Sequence, residues 1–334
     1  MDLVTLENKN NKSIISLNNV RKLNVLNEEM VDLMSAFLSD EQLKKSNTVI
    51  IKGNGDKGFC AGGDVVSVIK GYEEGREADF FFKKEYELDQ QIYNLPMKSI
   101  ALLHGVTMGG GVGLTHGCDL KVADPELLFA MPEVTIGFFP DVGASYFLNK
   151  IPKRWAIIIG LFGARLNAFE LKELGLVDFV ISRESWDSFI EGHLSESEFL
   201  SGDIPISSQA KDDFLAKDLD LLVFDSLETF SEIEEFVKNY SGHSWIEKSI
   251  QTGLDGSLLS RWLFWELLSF GHGKDFKECF EKEHQLSCLM DEDSDFKEGV
   301  RALLIDKDKN PSWRVDSIEQ LESSSYSKFR HLFK

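Results

Sequence analysis

Two glycine-rich turns, each directly behind a strand-like apolar run, constrain this chain more than any other feature. The first comprises Gly53, Gly55, Gly58, Gly62 and Gly63, after the run Thr48 to Lys52; the second comprises Gly109, Gly110, Gly111 and Gly113, after Ser99 to Leu103. A strand that ends in glycines and opens into a helix exposes main-chain NH groups where a Cβ would block a ligand or forbid the dihedrals. Further strands are predicted at Ile14 to Leu17 and Leu120 to Val122, and alternating strand and helix signals over roughly the first 180 residues predict an α/β core. Asn27 followed by Glu28 and Glu29 reads as an N-cap with an acidic first turn. It opens a helix with Met30, Val31, Met34, Phe37 and Leu38 on one face.

From about Ser185 the character becomes acidic and helical, and SLETFSEIEEFVKNY and SLLSRWLFWELLSF are spaced for amphipathic helices. The expected organisation is a core over residues 1–184 and a helical region over 185–334 that completes the fold, with a substrate pocket or oligomer contacts as its further uses. No internal repeat or extended low-complexity linker interrupts the chain. With 36 Lys+Arg against 56 Asp+Glu, the net charge of −20 argues against nucleic acid and anionic membrane as partners. The charge is uneven, −5 over residues 1–180 and −15 over 181–334, so the first part is the better host for a polyanionic ligand. Cys60, Cys118, Cys279 and Cys288 are scattered, with no CxxC pair and no Cys/His cluster of zinc spacing, which fits a reducing compartment. No apolar run approaches ~20 residues, and MDLVTLENKNNKS lacks a signal-peptide core. The expected location is cytoplasmic, or the mitochondrial matrix for a processed eukaryotic chain.

Three segments carry chemistry: GFCAGGDV at 58–65, HGVTMGGGVGL at 104–114 and FAMPEVTIGFFPDVGASYF at 129–147. Backbone NH groups of the first two could bind an anion. The third places Glu133 behind one proline and Asp141 behind another. Singly, each has an ordinary explanation: a packing turn, a surface carboxylate or helix cap, a hydrogen-bonded structural histidine at His104.

Together and in this order they resemble the crotonase (enoyl-CoA hydratase/isomerase) superfamily, whose fold is a spiral of ββα repeats. The resemblance implies that Gly63 and Gly110 supply the two main-chain donors of an oxyanion hole for a thioester carbonyl. Losing one such preorganised donor typically costs on the order of 3 kcal/mol. It also implies that coenzyme A bends between the first segment and Asn24-Val25-Leu26-Asn27, contacting Val25 and the backbone around Ala61, Gly62 and Asp64, with Arg21 or Lys22 meeting a phosphate. A hydratase of this superfamily has a second glutamate where this chain has Gly113. The pair that remains, Glu133 and Asp141 in MPEVTIGFFPD, resembles the 3-hydroxyisobutyryl-CoA hydrolase subfamily, as does DFKEGVRALLIDKDKNPSW at 295–313.

That resemblance implies hydrolysis of a short β-hydroxyacyl-CoA thioester, as in valine breakdown. Glu133 would be nucleophile or general base, and Asp141 would orient the substrate hydroxyl or water. A thiol has a pKa near ~8.5, so the thiolate leaves without a strong general acid, and no metal or redox cofactor is needed beyond the coenzyme A of the substrate. Lys70 stands where an acidic residue near the substrate is expected, Val25 replaces an alanine, and Ala144-Ser145 replaces a more glycine-rich run. An enoyl-CoA hydratase or isomerase acting through Glu133 alone is an alternative. So is a non-catalytic structural paralogue such as a mitochondrial ribosome-associated subunit. A homo-oligomer is compatible with the sequence, which does not choose a state.

Overall fold

The computed structural model describes residues 2–41, 43, 46–290, 294–323 and 326–334. Its strands, numbered in chain order, are β1 (Val4–Lys9), β2 (Lys12–Leu17), β3 (Thr48–Gly53), β4 (Gly58–Cys60), β5 (Lys98–Leu103), β6 (Val106–Met108), β7 (Leu120–Ala123), β8 (Leu128–Ala130), β9 (Leu166–Asn167) and β10 (Phe179–Val180). The larger sheet has the order β1-β2-β3-β5-β7-β10 and the smaller the order β4-β6-β8-β9. The chain therefore visits the sheets alternately: β3, β5 and β7 each enter the larger, and β4, β6 and β8 follow into the smaller. With helices Val65–Glu73 and Phe82–Tyr93 after β4 and Gly110–His116 after β6, this is the expected ββα recurrence.

In the larger sheet β2, β3, β5, β7 and β10 run parallel and only the edge strand β1 is antiparallel. Parallel strands covered on both faces need continuous apolar runs, and Val49, Ile50 and Ile51 of β3 are all fully buried. The switch between sheets explains two of the glycines. A Cβ on Gly58 would sit 2.7 Å from the carbonyl oxygen of Val106, and one on Gly53 would sit 2.8 Å from Cα of Phe59.

The chain divides into two compact units interleaved along the sequence, Met1–Asp64 with Lys84–Phe129 and Leu166–Ala210, and Val65–Lys83 with Ala130–Arg165 and Lys211–Lys334. In the first, Ile14, Ile50, Ile100, Leu102 and Val122 of the larger sheet pack against Trp186, Phe189, Ile190 and Phe199 from the helices that follow β10. Each such fully buried side chain contributes roughly 1.5–3 kcal/mol. Asn27 caps the helix Glu28–Leu38 as expected, accepting from the Met30 NH at 2.9 Å.

After Val180 the described residues form helices and turns only. Helix Phe230–Lys238 opens on a capping box at Thr229 and Glu232 and buries one face, as its spacing predicts. Helix Leu258–Gly271 buries a wide face that includes Leu259, Ser260, Arg261, Leu263, Phe264 and Leu267, and leaves a narrow stripe of Trp262, Glu266, Ser269 and Phe270 half-buried or exposed, as its spacing predicts. Its buried Arg261 is paired with Glu234.

Candidate active site

The first glycine turn is stitched to the preceding loop by main-chain bonds. Ala61 donates to Leu23 O at 3.0 Å, Leu26 donates to Gly62 O at 2.8 Å and Asp64 donates to Leu26 O at 2.7 Å, giving a parallel bridge between Leu26 and Gly63. Leu23 and Asn24 hold this register with φ of 54° and 55°. The buried Asn24 side chain locks it, Nδ2 donating to the carbonyls of Asn54, Gly58 and Phe59 at 3.0, 3.2 and 3.0 Å. Two segments read as one ligand-binding stretch are thus physically one element. Lys22 Nζ reaches Asp64 Oδ2 at 3.3 Å at its edge, and Val25 and Ala61 are half-buried beside it.

The second glycine turn comes to the same place. Gly109 adopts φ 50° to start the helix Gly110–His116, and a Cβ on Gly110 would lie 3.4 Å from the Gly63 nitrogen. Gly62, at φ 104°, faces Met108 O and the Gly110 nitrogen across a gap that a side chain would fill. Gly63 and Gly110 are therefore neighbours, although 47 positions separate them in sequence.

Beside them stands a carboxylate that the sequence reading passed over. Oε1 of Glu85, on helix Phe82–Tyr93, would clash with a Cβ on Gly110, and Glu85 is 2% exposed. Asp89, one turn on, is buried too. The available signal was the pair of acids at i and i+4 in EYELD on the face that also carries Tyr86 and Ile92. Cys60 lies within the influence of both: burial, aided by the charges of Glu85 and Asp89, pushes its thiol up to about 12, so it is no nucleophile near neutral pH. His104 is structural. Its Nε2 donates to Gly55 O at 2.9 Å, and burial pushes its pKa down to about 4.

Glu133 and Asp141 belong to the second unit, where both are buried, at 6% and 4% exposure. Glu133 opens the 3-10 turn Glu133–Ile136, which Gly137 closes at φ 71°. The segment 295–299, notable in sequence only as a mark of kinship, backs this turn directly. A Cβ on Gly137 would enter the Asp295 main chain, and one on Gly299 would enter that of Ile136. Asp295 is held in turn by Ser257 Oγ at 2.6 Å and the Arg314 NH at 2.8 Å, against a burial that raises its pKa. Asp141 precedes two left-handed residues, Val142 at φ 52° and Gly143 at φ 87°, and its carbonyl accepts from the Ala144 NH at 2.9 Å. Phe138 stacks on Phe82 and Phe139 with centroids 4.6 and 4.4 Å apart, an apolar wall between the two acids in sequence.

Lys70 lies exposed in the last turn of helix Val65–Glu73, whose Val68 and Ile69 are buried. One cysteine does meet a histidine: Cys288 Sγ lies 3.9 Å from His284 Nε2, which also meets Asp79 Oδ2 at 2.8 Å. These three could offer ligand atoms to one metal ion. The spacing His-x3-Cys was visible in sequence; Asp79, 205 positions away, was not.

An enoyl-CoA hydratase/isomerase family model matches residues 12–329. The 3-hydroxyisobutyryl-CoA hydrolase, mitochondrial, of Xenopus tropicalis is 34% identical over 92% of this chain and 83% of its own length. The human protein of the same name is 32% identical over 95% and 86%, and 3-hydroxyisobutyryl-CoA hydrolase 1 of Arabidopsis thaliana 31% identical over 98% and 90%. The crystal structure of an enoyl-CoA hydratase from Rhodobacter sphaeroides 2.4.1 superposes with a TM-score of 0.86 at 25% identity, covering 98% of this chain and 97% of that one. A carnitinyl-CoA dehydratase from Mycobacterium thermoresistibile shares the fold at the same TM-score and 24% identity, covering 100% and 97%. With glycine turns, ββα recurrence and near full-length kinship in agreement, the chain belongs to the enoyl-CoA hydratase/isomerase (crotonase) family, in its 3-hydroxyisobutyryl-CoA hydrolase branch.

Proposed function

We propose that this chain hydrolyses 3-hydroxyisobutyryl-CoA, or a close short β-hydroxyacyl-CoA, to the free hydroxy acid and coenzyme A. The observation that carries the reading is the adjacency of Gly63 and Gly110: a Cβ on Gly110 would lie 3.4 Å from the Gly63 nitrogen and against the Glu85 carboxylate. Their NH groups grip the thioester oxygen, where negative charge grows as the carbonyl carbon becomes tetrahedral. Glu133 acts on that carbon, as nucleophile or by activating water, and Asp141 orients the water or the substrate hydroxyl. Glu85, abutting Gly110, forms a polar wall where the acyl chain leaves the carbonyl. The joined segments 23–26 and 61–64 receive the coenzyme A, with Val25, Ala61, Gly62 and Asp64 in contact and Lys22 near a phosphate.

The sulfur departs as thiolate, a leaving group good enough that the steps close with water alone and no cofactor beyond the substrate's own coenzyme A. Gly113 is buried within its helix and bears no acid, which disfavours water addition across a double bond. The reaction belongs in the cytoplasm, or in the mitochondrial matrix for a processed eukaryotic chain.

Thiol release from a panel of short acyl-CoAs by wild type and Glu133→Gln tests the reading. The expected result is turnover of the β-hydroxyacyl thioester by wild type and none by the variant, with coenzyme A binding retained. Hydration of crotonyl-CoA without free thiol, or an undiminished rate in the variant, would overturn it.

A further inference from the structure

The loop that follows Asp141 is fastened from 138 to 140 positions further along the chain. Glu283, on helix Phe276–Ser287, receives the Gly143 NH on Oε2 at 2.7 Å, and the Ser145 NH and Oγ on Oε1 at 2.9 and 2.5 Å. Both carboxylate oxygens are therefore spent on one five-residue stretch. Glu283 is 0% exposed, so no bulk water stands ready to replace it.

The stretch it holds is one that would not hold itself. Val142 is β-branched yet sits at φ 52°, and Gly143 follows at φ 87°. A non-glycine residue in that region is strained and persists only where its surroundings over-determine it. The surroundings here are the Glu283 carboxylate, the Asn149 side chain on Ser145 O at 2.7 Å, and the helix Leu258–Gly271, whose Gly271 has no room for a Cβ because Ser145 O lies there. Ser145 stands where its relatives were expected to be richer in glycine, and its hydroxyl adds a third bond to the same acceptor.

We infer that Glu283 is the positioning residue of Asp141: by clamping the left-handed turn through Val142 and Gly143 from behind, it sets where the Asp141 carboxylate stands during thioester cleavage. This rests on the reading that Asp141 serves the hydrolysis. Glu283 itself does not touch substrate; it acts through two main-chain amides. Burial raises its pKa to about 8 while its three donors pull the other way, and the nearby Asp141 charge adds to the rise, so the two acids are also electrostatically linked.

The test is a double-mutant cycle on the full chain, with 3-hydroxyisobutyryl-CoA and a thiol-reactive chromophore, joined to crystal structures. Glu283→Gln keeps the shape but turns an amide NH2 toward one backbone donor. We expect kcat to fall 30- to 100-fold with KM within 3-fold, and the same substitution in an Asp141→Asn background to change the residual rate by less than 3-fold. The crystal structure of Glu283→Gln should show residues 141–145 rearranged, with Val142 back at negative φ. Should Glu283→Gln not fold, Ser145→Ala, which removes one of the three donors, is expected to lower kcat 3- to 10-fold in the wild-type background and not in Asp141→Asn. Losses that multiply across the two backgrounds, a rate within 3-fold of wild type, or an unmoved turn would overturn the inference. A wild type that releases no thiol, with a turn that still rearranges in Glu283→Gln, would defeat the hydrolase reading and leave the linkage between the two acids standing.

Discussion

Oε1 of Glu85 lies in clashing distance of the point where a Cβ on Gly110 would be, with the Gly63 nitrogen 3.4 Å from that same point. One small volume is thus shared by a main-chain donor from each glycine turn and by a buried carboxylate. Gly110→Ala forces the carboxylate aside and fills the space meant for the thioester oxygen. The expected loss in kcat/KM is 10²- to 10³-fold, on the scale of a lost oxyanion donor. A melting temperature near that of wild type separates this from unfolding, because the displaced group is the far end of a flexible side chain. A variant within 5-fold of wild type would mean that the carbonyl binds elsewhere.

Glycine decides stability rather than chemistry at Gly299. A Cβ there would enter the main chain of Ile136, in the turn that begins with Glu133, and main chain cannot step aside as a side chain can. Gly299→Ala is expected to cost about 2–4 kcal/mol, read from urea midpoints at unchanged m-value, and to lower kcat more than it raises KM. Equal effects on both kinetic constants would show that the segment supports the fold at large and not the Glu133 turn.

How much of this was legible beforehand follows from how local each constraint is. The glycine turns, the Asn27 cap and the strands β2, β3, β5 and β7 were readable because φ limits, capping and apolar periodicity act over a few residues. The three-residue strands β4, β6 and β8 were not, since a strand that short has no period to detect and looks like the loop around it. Glu85, despite its i, i+4 spacing from Asp89, and Glu283 could not be placed at a site for a different reason. An acid on a helix is ordinarily a solvated one, and only the tertiary fold brings Gly110 to the first and Gly143 to the second. In helix Leu258–Gly271 the half-exposed stripe follows from spacing, but that the polar Ser260 and Arg261 lie on the buried side, with Arg261 paired to Glu234, does not.

His104 and His116 give the fold a predictable acid limit. Burial pushes both down to about 4 from an unfolded value near 6.5. The unfolded chain therefore takes up protons first as the pH drops. Their contribution is complete above pH 6.5 and is lost progressively toward pH 4, by up to about 3 kcal/mol for each. His104→Gln keeps a donor for Gly55 O and removes the titration. Urea unfolding of this variant should show a shallower fall between pH 6.5 and 4 than wild type shows; parallel curves would exclude His104 from the effect.

Asn24 tests the coenzyme A assignment without touching the acids. Its Nδ2 faces three carbonyl oxygens at 3.0 to 3.2 Å, and its φ of 55° is one that asparagine tolerates better than most residues. Asn24→Ala leaves buried carbonyls without that donor and loosens the pairing of residues 23–26 with 61–64, at a cost of roughly 1–3 kcal/mol. If that paired element receives the coenzyme A, the variant raises KM for acyl-CoA about 10-fold and leaves kcat within 3-fold, because the Glu133 and Asp141 turns lie in other segments. The pattern to expect for a short thioester lacking the nucleotide, such as an N-acetylcysteamine analogue, is different: its KM should not change, since it makes no contact with residues 23–26. An equal rise in KM for both substrates would place the coenzyme A away from this loop and return Asn24 to a purely structural role.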